Sequence, residues 1–161
     1  MPTGLLPSAP DGSTPLTDPQ AVVEAFLDAL SALDIDRAAA LLADDVDYTN
    51  VGMPSLRGRA RVAKVLGALV RPSAGFEVYL HSISADGAVV LTERTDVLIL
   101  GPFRAQFWVW GRFDVHEGEI TLWRDSFDYV DLLRANLRAL VGVFVPAVRP
   151  KPPREGAAPG R

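Results

Sequence analysis

The patterning of this sequence predicts an α+β domain. Helices at the two ends of the chain should lie against a curved antiparallel or mixed sheet, three of them N-terminal and one C-terminal. Three observations carry that reading. Apolar residues recur at helical spacing as far as Val70, alternate at period two from Gly75 to Asp128, and return to helical spacing after Val130. The period-two segments are separated by the turn-forming pairs Asp86-Gly87, Gly101-Pro102 and Glu117-Gly118, which marks a meander of four strands. Helices first and strands after put the helices on one face of the sheet, with a deep pocket between the layers.

The elements follow in order. Asp18 is a predicted N-cap, Pro19 suits the first helical position, and Val22, Val23, Phe26, Leu27 and Leu30 form one stripe. A short second helix is expected from Asp36 to Leu42. A third starts after Gly58, with Val62, Val65, Leu66, Leu69 and Val70 on one side and Pro72 beyond its end. The strands are expected at Phe76–Ser84, Ala88–Leu100, Phe103–Val115 and Glu119–Asp128. The last helix, Val130–Val141, carries Leu132, Leu133, Leu137 and Leu140.

The length of 161 residues fits one domain, expected at 17–145. The segments 1–16 and 146–161 are rich in proline and poor in apolar groups, and are expected to be disordered tails. With 48% hydrophobic and 22% charged residues the chain is an ordinary globular one. It has no cysteine, which removes disulfides, zinc thiolates and thiol nucleophiles and is compatible with the cytoplasm. A net charge of −4 argues against a nucleic-acid partner. The cluster Arg57, Arg59, Arg61 and Lys64 reads as a solvated helix face. Residues 1–16 make a poor signal peptide, and no apolar run approaches the ~20 residues of a membrane span.

The informative residues are charges on apolar faces. Along Ala88–Leu100, Arg94 and Asp96 share a face with Val90, Leu98 and Leu100; in the last strand Asp125 stands between Trp123 and Phe127. Val46, Tyr48 and Asn50 share a face in the segment Asp45–Val51. Even paired ions lose several kcal/mol of hydration on burial, so stability alone would not place two aspartates and an arginine in a core. The economical reading is one pocket in which Arg94 bridges both carboxylates. Two alternatives stand beside it: a structural ion-pair network, or burial of the opposite face, which carries Val89, Leu91, Val97 and Ile99. His81 and His116 lack metal-ligand spacing and read as surface residues.

At these residues the sequence resembles a known family. Glu93-Arg94-Thr95-Asp96-Val97-Leu98 and Trp123-Arg124-Asp125-Ser126-Phe127-Asp128 are similar to the two signature strands of the limonene-1,2-epoxide hydrolases, and Asp47-Tyr48-Thr49-Asn50 to their tyrosine–asparagine segment. The order and separation of the three match over roughly residues 20–135. Val51-Gly52-Met53-Pro54, Ser126, Phe107 and Trp108 depart from the family's pattern.

The resemblance implies the cone-shaped, nuclear-transport-factor-two-like fold and a homodimer. It implies Asp96 as general acid, Asp125 as general base, Arg94 as the link between them, and Tyr48 and Asn50 as holders of the attacking water. Leu27, Leu30, Leu66, Leu98, Phe107, Val109 and Phe127 would line the substrate pocket. The implied partners are a small apolar epoxide and water, without a metal or other cofactor. An isomerase or polyketide-cyclase-like enzyme on the same fold, or a non-catalytic small-ligand-binding module, are the competing readings.

Overall fold

Asp18 caps the first helix by accepting a hydrogen bond from the Ala21 backbone N–H at 2.9 Å, with Pro19 in the first turn. The computed structural model describes residues 17–153. Its order is α1 (Pro19–Ser31), α2 (Ile35–Ala40), β1 (Leu42–Asn50), β2 (Leu56–Arg57), α3 (Arg59–Gly67), β3 (Ala74–Asp86), β4 (Val89–Leu100), β5 (Phe103–His116), β6 (Glu119–Ser126) and α4 (Tyr129–Phe144), then a 3-10 turn at Pro146–Val148.

The six strands form one sheet in the order β2-β1-β6-β5-β4-β3. The predicted meander is β3 to β6, antiparallel throughout. Gly87 takes φ +57 in the turn between β3 and β4, a conformation that costs glycine little. The sheet is mixed because β1 runs parallel to β6, pairing Tyr48 with Trp123 and Asn50 with Asp125. That pairing brings the tyrosine–asparagine segment beside the last signature strand, 75 residues away for Asn50 and Asp125.

The apolar stripe of α1 packs on the inner face of the sheet. Val22, Val23 and Phe26 are fully buried against Val62 of α3 and Val90, Phe113 and Ile120 of the strands. Phe26 meets Phe113 and Trp123 edge-on, with centroids 6.1 and 4.9 Å apart. Burying each such side chain is worth about 1.5–3 kcal/mol, so this cluster fixes how the helices sit on the sheet.

Several expectations need correction. The second helix begins earlier, at Ile35, because Asp34 caps it through the Arg37 N–H; it ends at Ala40, and Leu42 already opens β1. The third helix stops at Gly67. Of its expected stripe Val62 and Leu66 are buried, whereas Val65 and Val70 are exposed. The last strand ends at Ser126 because Asp128 turns the chain into α4, accepting from the Val130 and Asp131 N–H groups.

In α4 the leucine stripe is not the packed face. Ala135, Ala139 and Gly142 face inward, and Leu133, Leu137 and Leu140, offset by two residues, are exposed. Before Trp110, β5 has no β6 neighbour, and α4 packs against it there. Small side chains allow that close approach, and Asp131 accepts a bond from the Trp108 N–H at 3.3 Å.

Arg59 is not simply solvated: it donates to the Leu42 carbonyl at 2.6 Å and pairs with Asp44 and Glu119. His81 is half-buried at a bulge in β3, with Nε2 2.8 Å from the Thr95 hydroxyl, while His116 is exposed. The expected tail from residue 146 is structured at its start: Arg138 donates to the Val148 carbonyl and Arg149 to that of Gly142. The remainder of that tail, 154–161, and the whole of 1–16 lie outside the described residues.

Candidate active site

Strand alternation turns Arg94 and Asp96 of β4 toward the helices, and β6 does the same for Asp125. All three are buried, exposed by 1%, 4% and 5% respectively. The Arg94 guanidinium donates from Nε to Asp96 Oδ1 at 2.9 Å and from Nη2 to Asp125 Oδ2 at 2.6 Å. Its Nη1 donates to the Thr92 hydroxyl at 3.3 Å. One planar cation thus holds two carboxylates, the arrangement expected from charges on apolar faces; the opposite-face alternative fails for these three residues.

Five buried side-chain polar atoms lack a hydrogen-bond partner among the described residues, and one of them, Asp125 Oδ1, belongs to the carboxylate–guanidinium set. A buried acceptor left unpaired costs about 1–3 kcal/mol, so its placement points to a role beyond stability. Nearby, Asn50 Nδ2 donates to Tyr48 Oη at 2.8 Å. The Tyr48 hydroxyl proton and the Asn50 carbonyl oxygen are left for a third group. Tyr48 lies against Trp123 with ring centroids 4.1 Å apart.

The electrostatics separate the groups. Burial pushes the Asp96 carboxyl up to about 6; the Arg94 charge opposes this and the Asp125 charge adds to it. Burial works against the Arg94 cation, but the two carboxylates together outweigh it and hold the guanidinium charged. Tyr48 is pushed up to about 12, by burial first and the Asp125 charge second.

These groups border a cavity of about 270 Å³ between helices and sheet. Leu27 and Leu30 of α1, Leu66 of α3, Phe107 and Val109 of β5, and Phe127 line it as expected. Leu98 does not; it lies two residues further along β4 and is only half-buried. Sequence reasoning missed Val65, Leu69, Phe76, Trp123 and Leu132. Trp123 was legible, since it shares a face with Asp125. Leu132 was not, because nothing local tells which side of α4 reaches the cavity.

The sequence model of the limonene-1,2-epoxide hydrolase catalytic domain matches residues 17–138. This chain belongs to the limonene-1,2-epoxide hydrolase family. It is 53% identical over 127 residues to epoxide hydrolase EphG of Mycobacterium tuberculosis (strain ATCC 25618 / H37Rv), a match spanning 79% of this chain and 85% of that one. A solved LEH-like epoxide hydrolase of M. tuberculosis superposes with a TM-score of 0.79 at 50% identity, covering 86% of this chain and 99% of the other. A protein with a ketosteroid isomerase-like fold from Catenulispora acidiphila DSM 44928 has a TM-score of 0.63 at 18% identity, over 71% of this chain and 91% of its own. That last likeness shows the cone fold alone. The family members with the high identity are the epoxide hydrolases.

Proposed function

We propose that this limonene-1,2-epoxide hydrolase family member adds water to a small apolar epoxide in one acid/base step, giving a vicinal diol without a covalent enzyme intermediate. The observation that carries the reading is the buried Asp96–Arg94–Asp125 set, in which Asp125 keeps one oxygen free. Asp125 Oδ1 takes a proton from a water that Tyr48 and Asn50 orient. The water oxygen attacks an epoxide carbon, the carbon–oxygen bond opens, and the protonated Asp96 gives its proton to the departing ring oxygen. Each positioned proton transfer is worth about 10²–10⁴-fold.

The raised Asp96 carboxyl supports the acid role, since it keeps its proton to a higher pH than an ordinary carboxyl does. Arg94 supplies the positive charge that lets its neighbour stay a carboxylate, so the set with one proton is neutral overall. The apolar cavity lies just below the ~300–1,000 Å³ of common small-molecule sites, which fits a compact hydrophobic epoxide. We further place the protein in the cytoplasm as a homodimer. The lack of cysteine suits a reducing compartment, and the outward stripe Leu133, Leu137, Leu140 and Phe144 offers apolar surface for a second copy.

The test is single-turnover hydrolysis of limonene-1,2-epoxide in ¹⁸O-labelled water, alongside Asp96→Asn and Asp125→Asn. Solvent oxygen is expected in the first diol formed, and both variants should stay folded with turnover cut by about 10²-fold or more. Label entering a carboxylate first, or turnover of a Δ5-ketosteroid in place of the epoxide, overturns the reading.

A further inference from the structure

Arg94 and Asp125 are not on neighbouring strands. β5 lies between β4 and β6, so the guanidinium has to pass over β5 to reach its second carboxylate. The register shows where it passes. Thr92 of β4 pairs with Gly111 of β5, Gly111 pairs with Asp125 of β6, and Asp125 pairs with Asn50 of β1. These four residues form one row across the inner face, and Gly111 alone in it has no side chain.

A Cβ built on Gly111 would overlap Arg94 Nη1, lie 2.5 Å from Thr92 Oγ1 and lie 2.9 Å from Phe113 Cε2. The first two are well inside van der Waals contact, and Arg94, Thr92 and Phe113 are all buried with nowhere to retreat. The same space receives the head of Arg94, whose Nη1 donates to Thr92 Oγ1 while the Thr92 hydroxyl faces the Gly111 carbonyl at 3.5 Å. Any larger residue at Gly111 takes the room that the cation occupies.

We infer that Gly111 and Thr92 are positioning residues for the acid/base pair: Gly111 is a notch in β5 through which Arg94 reaches Asp125, and Thr92 fixes the guanidinium's rotation within it. Neither touches the reacting atoms. They act through Arg94, whose Nε and Nη2 can face the two carboxylates only if the plane of the head is held. The catalytic consequence rests on the reading of Arg94 as the bridge between acid and base; the placement of the head does not.

The experiment therefore has two readouts. One is steady-state hydrolysis of limonene-1,2-epoxide; the other is the ¹⁵N–¹H resonance of Arg94 Nε, assigned through its loss in Arg94→Lys. Gly111→Ala is expected to move that resonance and lower kcat about 10²-fold with KM within twofold, as misplacement of a positioned group does. Thr92→Val keeps the shape and removes the acceptor; it should move the resonance and lower kcat about tenfold, the worth of a hydrogen bond to a charged group. Thr92→Ser should restore both.

If Gly111→Ala does not fold, the Thr92 pair decides alone. An unmoved Nε resonance in the folded variants, or Thr92→Ser as impaired as Thr92→Val, overturns the inference. A moved resonance with unchanged kcat leaves the notch standing and overturns the catalytic reading of Arg94.

Discussion

Arg94 Nη2 meets Asp125 Oδ2 at 2.6 Å although a whole strand separates their backbones. The bond is buried, and the same guanidinium also holds Asp96. A lysine has one compact ammonium and cannot occupy both positions in a plane. Arg94→Lys should therefore cut kcat by about 10²-fold or more. Arg94→Gln leaves two buried carboxylates without a cation, and should destabilise the fold by about 3–5 kcal/mol. Urea unfolding at neutral pH checks the second value; a loss below 1 kcal/mol would mean that the carboxylates find other partners.

The sequence carried these three residues and pointed to their meeting, but not the register that brings Tyr48 and Asn50 to them. Alternation along β4 and β6 placed Arg94, Asp96 and Asp125 on apolar faces, because a strand's period is local. The parallel pairing of β1 with β6 is long-range, and only the family resemblance put Tyr48 and Asn50 beside Asp125. The two-residue strand β2 has too little pattern to be seen. In α4 the leucines do not mark the packed face, because hydrophobicity alone does not decide which side of a helix is buried. Packing chose Ala135 and Ala139, whose small side chains let the helix approach β5 closely. The family resemblance puts Leu98 in the cavity wall, but sharing a face with Asp96 does not bring it there, because the cavity ends before it along β4.

The pH dependence follows from Asp96. Its carboxyl is pushed from the ordinary 3.8 to about 6, chiefly by burial. As the general acid it must be protonated, so activity should decline as pH rises through about 6, giving the alkaline limb of a bell-shaped kcat/KM profile. In Asp96→Asn that limb has no group to report it, and turnover should fall by about 10²-fold or more. A profile flat from pH 5 to 8 in the unmodified enzyme would contradict the assignment.

Stability should carry the same signature. Asp96 binds its proton more tightly folded than unfolded, so its contribution is fully present below about pH 3.8 and is lost as pH rises through about 6. Asp96→Asn cannot titrate. Its Tm should therefore fall less than that of the unmodified protein between pH 4 and 7, a comparison that differential scanning calorimetry makes directly. Parallel curves for the two proteins would show that Asp96 titrates alike in the folded and unfolded chain.

Asp125→Asn tests the base. The amide keeps the shape, and its oxygen can no longer take a proton. The kcat should fall by about 10²–10⁴-fold, while the apolar cavity walls, which do not change, should hold the affinity for the epoxide. Isothermal titration with the intact epoxide separates the two effects. Loss of binding with the rate per bound substrate preserved would make Asp125 a binding group instead.

Tyr48→Phe separates holding the water from giving a proton. The ring lies against Trp123, and that contact survives in phenylalanine, so the variant should fold as the parent does. It loses the Oη that accepts from Asn50 Nδ2 and the proton that a water can receive. A lost hydrogen bond of this kind should lower kcat about tenfold. Burial and the Asp125 charge push the Tyr48 hydroxyl up to about 12, so it stays protonated throughout the working range and contributes no limb to the profile. The pH–rate curve of Tyr48→Phe should accordingly keep the parent's shape at a lower height. If its alkaline limb vanishes instead, the tyrosine is the titrating acid and Asp96 is not.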